Sequence, residues 1–105
     1  MKARLRETDI QRAICDYLAL KKHFFWRQNT AGMFREGRYF AMPKYSLNGL
    51  PDIILIKDGI FVGIEVKTEK GVQSDHQKAF AALCEQHGAV YFVARSVDDV
   101  IARGL

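Results

Sequence analysis

The sequence is poor in cysteine and proline and has no long hydrophobic segment. Its 105 residues include two cysteines, two prolines and three histidines. The cysteines form no CxxC pair and no histidine lies at ligand spacing from them, which excludes a disulfide framework and a cysteine-based zinc site. The most apolar stretches, 60–64 and 89–94, are much shorter than the ~20 residues that cross a bilayer, so we predict no transmembrane segment.

The amino-terminal residues do not follow the pattern of a secretion signal. Three basic residues among the first six are followed by Glu7, Thr8 and Asp9, where a signal peptide would be apolar. We therefore predict an intracellular, cytoplasmic protein, in a bacterial host if the chain is phage-encoded. Cys15 and Cys84, both at apolar helix positions, are then expected to be reduced core thiols.

Length and composition predict one folded domain. With 49% apolar and 27% charged residues, the chain is too apolar for a disordered protein and too charged for a membrane bundle. A chain of this length suits a single domain, and it can bury somewhat over ~60% of its unfolded surface without disulfides. We predict one domain covering residues 1–105.

The net charge of +4 is unevenly distributed along the chain. Residues 1–48 contain ten basic and four acidic side chains, whereas residues 49–105 contain six basic and eight acidic ones. A basic segment of this kind is typical of proteins that contact a polyanion. The acidic segment therefore needs a separate explanation for its carboxylates.

Hydrophobic periodicity and turn residues predict alternating helices and strands. The order implies an α/β fold with a mixed sheet flanked by helices. We expect the strand at 90–94, which is almost entirely apolar, to be buried on both faces. The predicted helices are 8–22, one from Ser74 to Gly88 and one from Ser96 to about 103; the predicted strands are 24–28, 38–42, 52–57, 60–67 and 90–94.

Each predicted helix has an apolar stripe and an N-terminal cap. Thr8 with Gln11 and Ser74 with Gln77 have the spacing of capping boxes. The predicted inward residues are Ile10, Ala13, Ile14, Tyr17 and Leu18 in the first helix, Ala79, Phe80, Leu83 and Cys84 in the second, and Val97, Val100 and Ile101 in the third.

An Asp58-Gly59 turn predicts the register of a hairpin. A two-residue link of this type leaves Lys57 opposite Ile60. Continuing that register places Asp52 opposite Glu65, with Cβ atoms about 4.5–5.5 Å apart. A β-bulge between these positions would break the register.

The hairpin register brings a lysine to the same place as the two acids. Since side chains alternate between the faces of a strand, Glu65 and Lys67 lie on one face, and Asp52 is expected to converge on them. Two adjacent carboxylates offer the oxygen ligands that Mg²⁺ prefers, and an ammonium can stabilise charge that develops on a phosphoryl group. The alternative is a surface acid pair that Lys67 partly compensates.

These residues resemble a known nuclease signature. Gly49-Leu50-Pro51-Asp52, twelve intervening residues and Glu65-Val66-Lys67 are similar to the PD-(D/E)XK motif. With the accompanying residues, the chain resembles the virus-type replication-repair nuclease (VRR-NUC) domain over nearly its whole length. The resemblance implies a restriction-endonuclease-like α/β core with a mixed central sheet. The accompanying residues are Glu7, Arg27, Asn29, Gly32, Thr68, Gly71, Ser74 and Gln77.

The resemblance also implies roles for individual residues. Lys67 would be the catalytic lysine, and Gln77 would hold the lysine, the attacking water or the phosphate. Mg²⁺, for which Mn²⁺ would substitute, would be bound by Asp52, Glu65, the backbone carbonyl of Val66 and, directly or through water, Glu7.

Two of these roles have simpler alternatives. Glu7 has helical spacing with Ile10, Ile14 and Leu18, which puts it at the end of the apolar stripe and points it toward the edge of the core. It could equally be a solvated acid that the helix dipole stabilises. A capping box alone would account for Gln77.

Basic residues precede the acidic motif along the chain. They can neutralise phosphates and guide a phosphodiester toward Asp52, although an ordinary solvated basic surface would have the same composition. The candidate DNA-binding residues are Arg27, Asn29, Arg35, Arg38 and Lys44.

The sequence as a whole predicts a Mg²⁺-dependent, structure-specific DNA endonuclease acting in replication, repair or recombination. We expect branched DNA such as a four-way junction, and a homodimer, because symmetric cuts need two sites related by a twofold axis. The first helix or 24–26 would supply the interface, unless those aromatics belong to the core. The alternatives are a non-cleaving DNA-binding module, a nuclease for other ends or flaps, and a restriction-type enzyme.

Overall fold

The computed structural model describes residues 5–28, 34–35, 38–39 and 43–105. In these ranges the chain forms a four-stranded sheet of order β1-β4-β5-β6 and a two-stranded β2-β3 hairpin. The β5–β6 pair is parallel and the other pairs are antiparallel, which confirms the predicted mixed sheet. The elements are α1 (Glu7–Leu20), β1 (Phe24–Arg27), β2 (Phe34–Arg35), β3 (Arg38–Tyr39), β4 (Ile53–Lys57), β5 (Ile60–Val66), α2 (Asp75–Gln86), β6 (Val90–Ala94) and α3 (Val97–Ala102).

Helices cover both faces of the four-stranded sheet. α1 and α3 pack on one face, where the alternate residues Val62, Ile64 and Val66 of β5 enter the core. α2 packs on the other face, with the Phe80 ring 6.4 Å from Phe61. No helix in the described part of the chain combines the length and the apolar character needed to span a bilayer.

The first helix begins earlier than the capping-box pattern predicts. α1 starts at Glu7, and the backbone N–H and side chain of Arg6 both donate to the Asp9 carboxylate. The predicted Thr8–Gln11 cap is therefore wrong, because with Arg6 as the N-cap the third helical position is occupied by Asp9. Of the predicted strand at 38–42, residues 40–42 lie outside the described residues.

The buried stripes of the helices are narrower than predicted. On α1, Ile10, Ile14 and Leu18 are buried and Tyr17 is half-buried, but Ala13 is exposed. The contact follows i, i+4, i+8 spacing, and Ala13 lies about 60° to the other side of Ile10 on a helix of 3.6 residues per turn. Ala13 therefore lies outside the buried stripe of α1.

The second and third helices show the same narrowing. Cys84 is buried and Phe80 is half-buried, whereas Ala79 and Leu83 are exposed because α2 contacts the sheet mainly along β6. On α3, which is only six residues long, Ile101 is exposed while Val100 is buried and Val97 packs on the core. The predicted inward positions of Ala79, Leu83 and Ile101 are wrong.

The edge strands are less buried than their apolar character suggests. Phe92 and Ala94, on the face of β6 that α1 and α3 cover, are buried, but Tyr91 and Val93 on the α2 face are only half-buried, so the prediction of a strand buried on both faces is wrong. The physical reason is that β6 ends the sheet and α2 covers it incompletely. On β1 at the other edge, Phe25 packs on the core, whereas Phe24 and Trp26 are 67% and 40% exposed.

The predicted hairpin register is confirmed. Lys57 pairs with Ile60, and the ladder continues in the same register to Ile53 opposite Ile64. Asp58 and Gly59 both have positive φ, at 53° and 77°, which is the conformation of the type I′ turn that this dipeptide favours.

Both cysteines are free thiols, as predicted. Cys84 is buried on α2, and Cys15 is half-buried against the core on α1. Burial raises the pKa of both thiols, which keeps them protonated and poorly reactive.

Candidate active site

Asp52 lies where three strands meet. Its backbone carbonyl accepts a 2.8 Å hydrogen bond from the N–H of Gln28, directly after β1. Its side-chain Oδ2 accepts a second bond of 2.8 Å from the N–H of Val66 on β5. Asp52 thus continues the β1–β4 ladder by one residue, and its side chain bonds the end of β5, close to Glu65 as the hairpin register predicts.

Two glycines let the turn before Asp52 lie between the sheet and α2. Gly49 has φ +79°, and a Cβ there would be 2.2 Å from the backbone oxygen of His76 in the first turn of α2. Pro51 is fully buried over Gly63, where a Cβ would be 2.8 Å from the Pro51 ring. The turn that carries Asp52 is therefore locked to the start of α2.

We expect Gly49→Ala to destabilise the protein by about 2–5 kcal/mol. The positive φ costs about 1–2 kcal/mol for a residue with a Cβ, and the clash with a helix backbone adds about 1–3 kcal/mol. Urea unfolding measures the loss. The matched control is Gly59→Ala, which has a φ of +77° but no atom within 4 Å of the added Cβ. An equal loss in both variants would contradict the close approach of turn and helix.

Glu65 is the buried acid of the site, with only 2% of its surface exposed. Its Oε1 accepts a 2.9 Å hydrogen bond from Gln77 Nε2, and its Oε2 accepts one of 3.3 Å from the Tyr91 hydroxyl. Burial, followed by the neighbouring Asp52 carboxylate, raises the pKa of Glu65 to about 8, while the Lys67 ammonium opposes this shift. The carboxylates of Asp52 and Glu65 and the ammonium of Lys67 are thus close enough to influence one another.

Gln77 is both a helix cap and a site contact. Its Oε1 accepts from the Ser74 N–H at 2.8 Å, while its own N–H donates to Ser74 Oγ at 3.2 Å, which completes the predicted capping box. Because the capping bond uses the oxygen of the amide, the amide nitrogen faces Glu65. The cap therefore fixes the orientation in which the Gln77 amide reaches Glu65. The role of Gln77 in catalysis stays a prediction.

Tyr91 is a site residue that the sequence reasoning missed. It lies on β6, beside Gly63 of β5, and its ring packs 5.9 Å from Phe80. Burial, and next the charge of Glu65, raise the pKa of its phenol, so the hydroxyl stays a donor. The available signal was a single polar side-chain atom within the otherwise apolar strand 90–94.

Arg95 is a second residue that the sequence did not point to. Its guanidinium donates to the backbone carbonyls of Thr68, Glu69 and Gly71, the loop that follows Lys67. The N–H of Lys67 in turn donates to the Ala94 carbonyl at 3.1 Å. The segment around the lysine is therefore held from the end of β6.

The structure does not bring Glu7 to the other acids. Glu7 is the first residue of α1, at the end of the apolar stripe, and is exposed. Burial along its stripe already decreases from Ile14 to Ile10. The described residues contain no group of three or more acidic, histidine or cysteine side chains that could hold a metal. A metal-binding role for Glu7 stays a prediction.

The predicted DNA-binding residues are distributed around the end of β1 and the segment before Asp52. Arg27 is exposed one residue before Gln28, which bonds Asp52, and Lys44 is exposed with its ammonium 5.1 Å from the Tyr45 ring centroid. Arg35 and Arg38 are described by their backbone only, as a pair across the β2-β3 hairpin. Asn29 lies outside the described residues.

The donor set at this end of the sheet fits a hard divalent cation. Asp52 and Glu65 supply carboxylate oxygens, and neither histidine nor cysteine is involved, which suits Mg²⁺ or Mn²⁺. The raised pKa of Glu65 also fits a cation site, because two adjacent acids can both be ionised only when positive charge lies beside them. Participation of the Val66 carbonyl stays a prediction.

Solved structures show which fold this architecture belongs to. No family model matches the sequence, and no curated protein matches it. One solved structure, described as a VRR-NUC domain, superposes with a TM-score of 0.64 at 22% identity, over 91% of this chain and 90% of its own. A second, a VRR-NUC domain protein, has a TM-score of 0.62 at 20% identity, over 95% and 85%. The chain therefore has the fold of a VRR-NUC domain, which is a PD-(D/E)XK nuclease fold.

Proposed function

We propose that the protein is a Mg²⁺-dependent DNA endonuclease. The observation that carries this proposal is the pairing of Asp52 with the buried Glu65, beside Lys67, at one end of a sheet with a nuclease fold. Two carboxylates this close together, one of them buried, are unfavourable when both are ionised. Their presence in the protein is accounted for if the pair binds a cation that takes part in hydrolysis.

Each residue of the site has a defined part in this proposal. Asp52 and Glu65 would hold the divalent cation, which when bound activates water and neutralises charge on the phosphate. Lys67 would stabilise the negative charge that develops on the phosphoryl oxygens in the transition state. Gln77 orients Glu65, and the locked turn from Gly49 orients Asp52.

We further propose that the substrate is branched DNA such as a four-way junction, cut during replication, repair or recombination. The excess of basic residues in 1–48 supports a polyanionic partner, and Arg27 and Lys44 are exposed. A homodimer would supply two sites for symmetric cuts. The exposed rings of Phe24 and Trp26, 5.7 Å apart on the edge strand β1, offer apolar surface for such an interface.

A cleavage assay on matched substrates tests the function. Four-way junction, flap, splayed and linear duplex DNA are incubated with Mg²⁺, with Mn²⁺ or with a chelator, and Asp52→Asn serves as the inactive control. We expect cleavage that requires the cation and is fastest on the junction. Binding without cleavage under every condition would contradict the nuclease and favour a non-cleaving DNA-binding module. Faster cleavage of flaps or ends would contradict the preference for junctions and leave the nuclease proposal intact.

We expect Arg27→Ala to weaken DNA binding about equally for all sequences. An arginine that contacts phosphate adds about one unit to the slope of log affinity against log salt concentration. Fluorescence anisotropy at several salt concentrations measures that slope, which should decrease by about one. Arg12→Ala on the exposed surface of α1 is the matched control. An unchanged slope in Arg27→Ala would remove this residue from the DNA interface.

A further inference from the structure

We propose that Tyr91 is a positioning residue for Glu65. Its hydroxyl, together with the amide of Gln77, holds the carboxylate in place so that the remaining oxygen lone pairs can bind a divalent cation. This inference rests on the proposed function, and it concerns a residue outside the PD-(D/E)XK motif.

The hydrogen bonds around Glu65 carry the proposal. The Tyr91 hydroxyl lies 3.3 Å from Oε2 and Gln77 Nε2 lies 2.9 Å from Oε1, so each carboxylate oxygen has one neutral donor. With Glu65 only 2% exposed, solvent has little access to replace a lost donor. An ionised carboxylate has about four acceptor positions, so two donors leave others for a cation.

The surrounding residues fix the direction of the Tyr91 hydroxyl. Parallel pairing sets Tyr91 beside Gly63, which has no side chain to compete for the space over the sheet. The ring packs against Phe80 of α2, with the two ring centroids 5.9 Å apart. The hydroxyl thus reaches Glu65 from a ring that is positioned by the pairing of β6 with β5 and by its contact with α2.

The hydroxyl stabilises the form of Glu65 that binds a cation. A donor favours the ionised carboxylate, and loss of a donor leaves a buried charged oxygen unpaired. Residues that hydrogen-bond a metal ligand typically contribute 10–100-fold to metal affinity. The position of Tyr91 corresponds to such a role, whereas a purely structural tyrosine would affect folding and leave cation affinity unchanged.

The test measures Mn²⁺ binding to the DNA-free protein by isothermal titration calorimetry. Tyr91→Phe keeps the ring and removes the hydroxyl, and we expect the Mn²⁺ dissociation constant to increase about 10-fold or more. The matched control is Tyr17→Phe, the same change at a half-buried tyrosine that packs against the α1 side of the core.

The possible outcomes separate this inference from the proposed function. Unchanged Mn²⁺ affinity in Tyr91→Phe, with normal binding by the wild type, would overturn the role of Tyr91 and leave the nuclease proposal intact. An equal loss in Tyr17→Phe would also overturn it, because the effect would not be local to Glu65. Absence of Mn²⁺ binding by the wild type would overturn the proposed metal site and this inference with it.

Discussion

Lys67→Ala should reduce DNA cleavage at least about 100-fold while changing junction affinity only slightly. The ammonium lies near Glu65, where it opposes the rise in the pKa of that acid. In the proposed mechanism it stabilises charge that exists mainly in the transition state. Removing one such electrostatic group typically lowers kcat by about 10²–10³. Because substrate binding depends on many basic residues, the loss of one charge should have little effect on affinity.

Single-turnover cleavage and anisotropy measurements on the same junction separate the two effects. Lys57→Ala is the matched control, because Lys57 lies at the opposite end of the β4–β5 hairpin and its ammonium bonds the Gly104 carbonyl. We expect this variant to cleave at the wild-type rate. Unchanged turnover in Lys67→Ala would exclude the proposed mechanism, and a parallel loss of binding would assign the lysine to substrate capture.

Without divalent cations, the free energy of unfolding should fall as the pH rises from about 4.5 to about 8. The pKa of Glu65 is raised from 4.5 to about 8 in the folded protein, so within this window the folded state binds more protons than the unfolded state. Stability then decreases with pH, by at most about 1.4 kcal/mol per pH unit for one group. Below the window the acid is protonated in both states, and above it the acid is ionised in both.

Urea unfolding in the presence of a chelator, repeated at several pH values, measures this dependence. Glu65→Gln should flatten the profile, whereas Glu69→Gln, at an exposed position of the following loop, should preserve it. Addition of Mg²⁺ at pH 8 should restore stability to the wild type and have little effect on Glu65→Gln. Equal pH profiles for the wild type and Glu65→Gln would contradict the environment described for this acid.

Turn chemistry allowed the sequence to predict the central part of the site. Asp58-Gly59 adopts one narrow class of turn, so the register that aligns Asp52 with Glu65 follows from local preference alone. The exposure of Ala13, Leu83 and Ile101 could not be predicted in the same way. It depends on how far each helix extends over the sheet, which is a tertiary property that apolar periodicity does not contain.

The hydrogen-bond partners of Glu65 could not be predicted from local sequence patterns either. Nothing near Tyr91 in the sequence identifies it as a partner of an acid 26 residues earlier, since their contact follows from the parallel pairing of β5 and β6. The capping role of Gln77 was predicted, whereas its hydrogen bond to Glu65 was not, and the structure shows that one amide makes both contacts. For Glu7, helical spacing gives the face on which the residue lies without showing how far the partner surface extends along that face.

The parallel pairing of β5 with β6 has a consequence for how the protein folds. Parallel neighbours need a long crossover, here the segment that contains α2, whereas the β4–β5 hairpin closes through two residues. Contacts between distant parts of a chain form slowly, because loop-closure entropy opposes them. We therefore expect the hairpin, with Asp52 and Glu65, to form before Gln77 and Tyr91 arrive. During folding the two acids would then meet in water, where their repulsion is weak, and become a desolvated pair only in the last step.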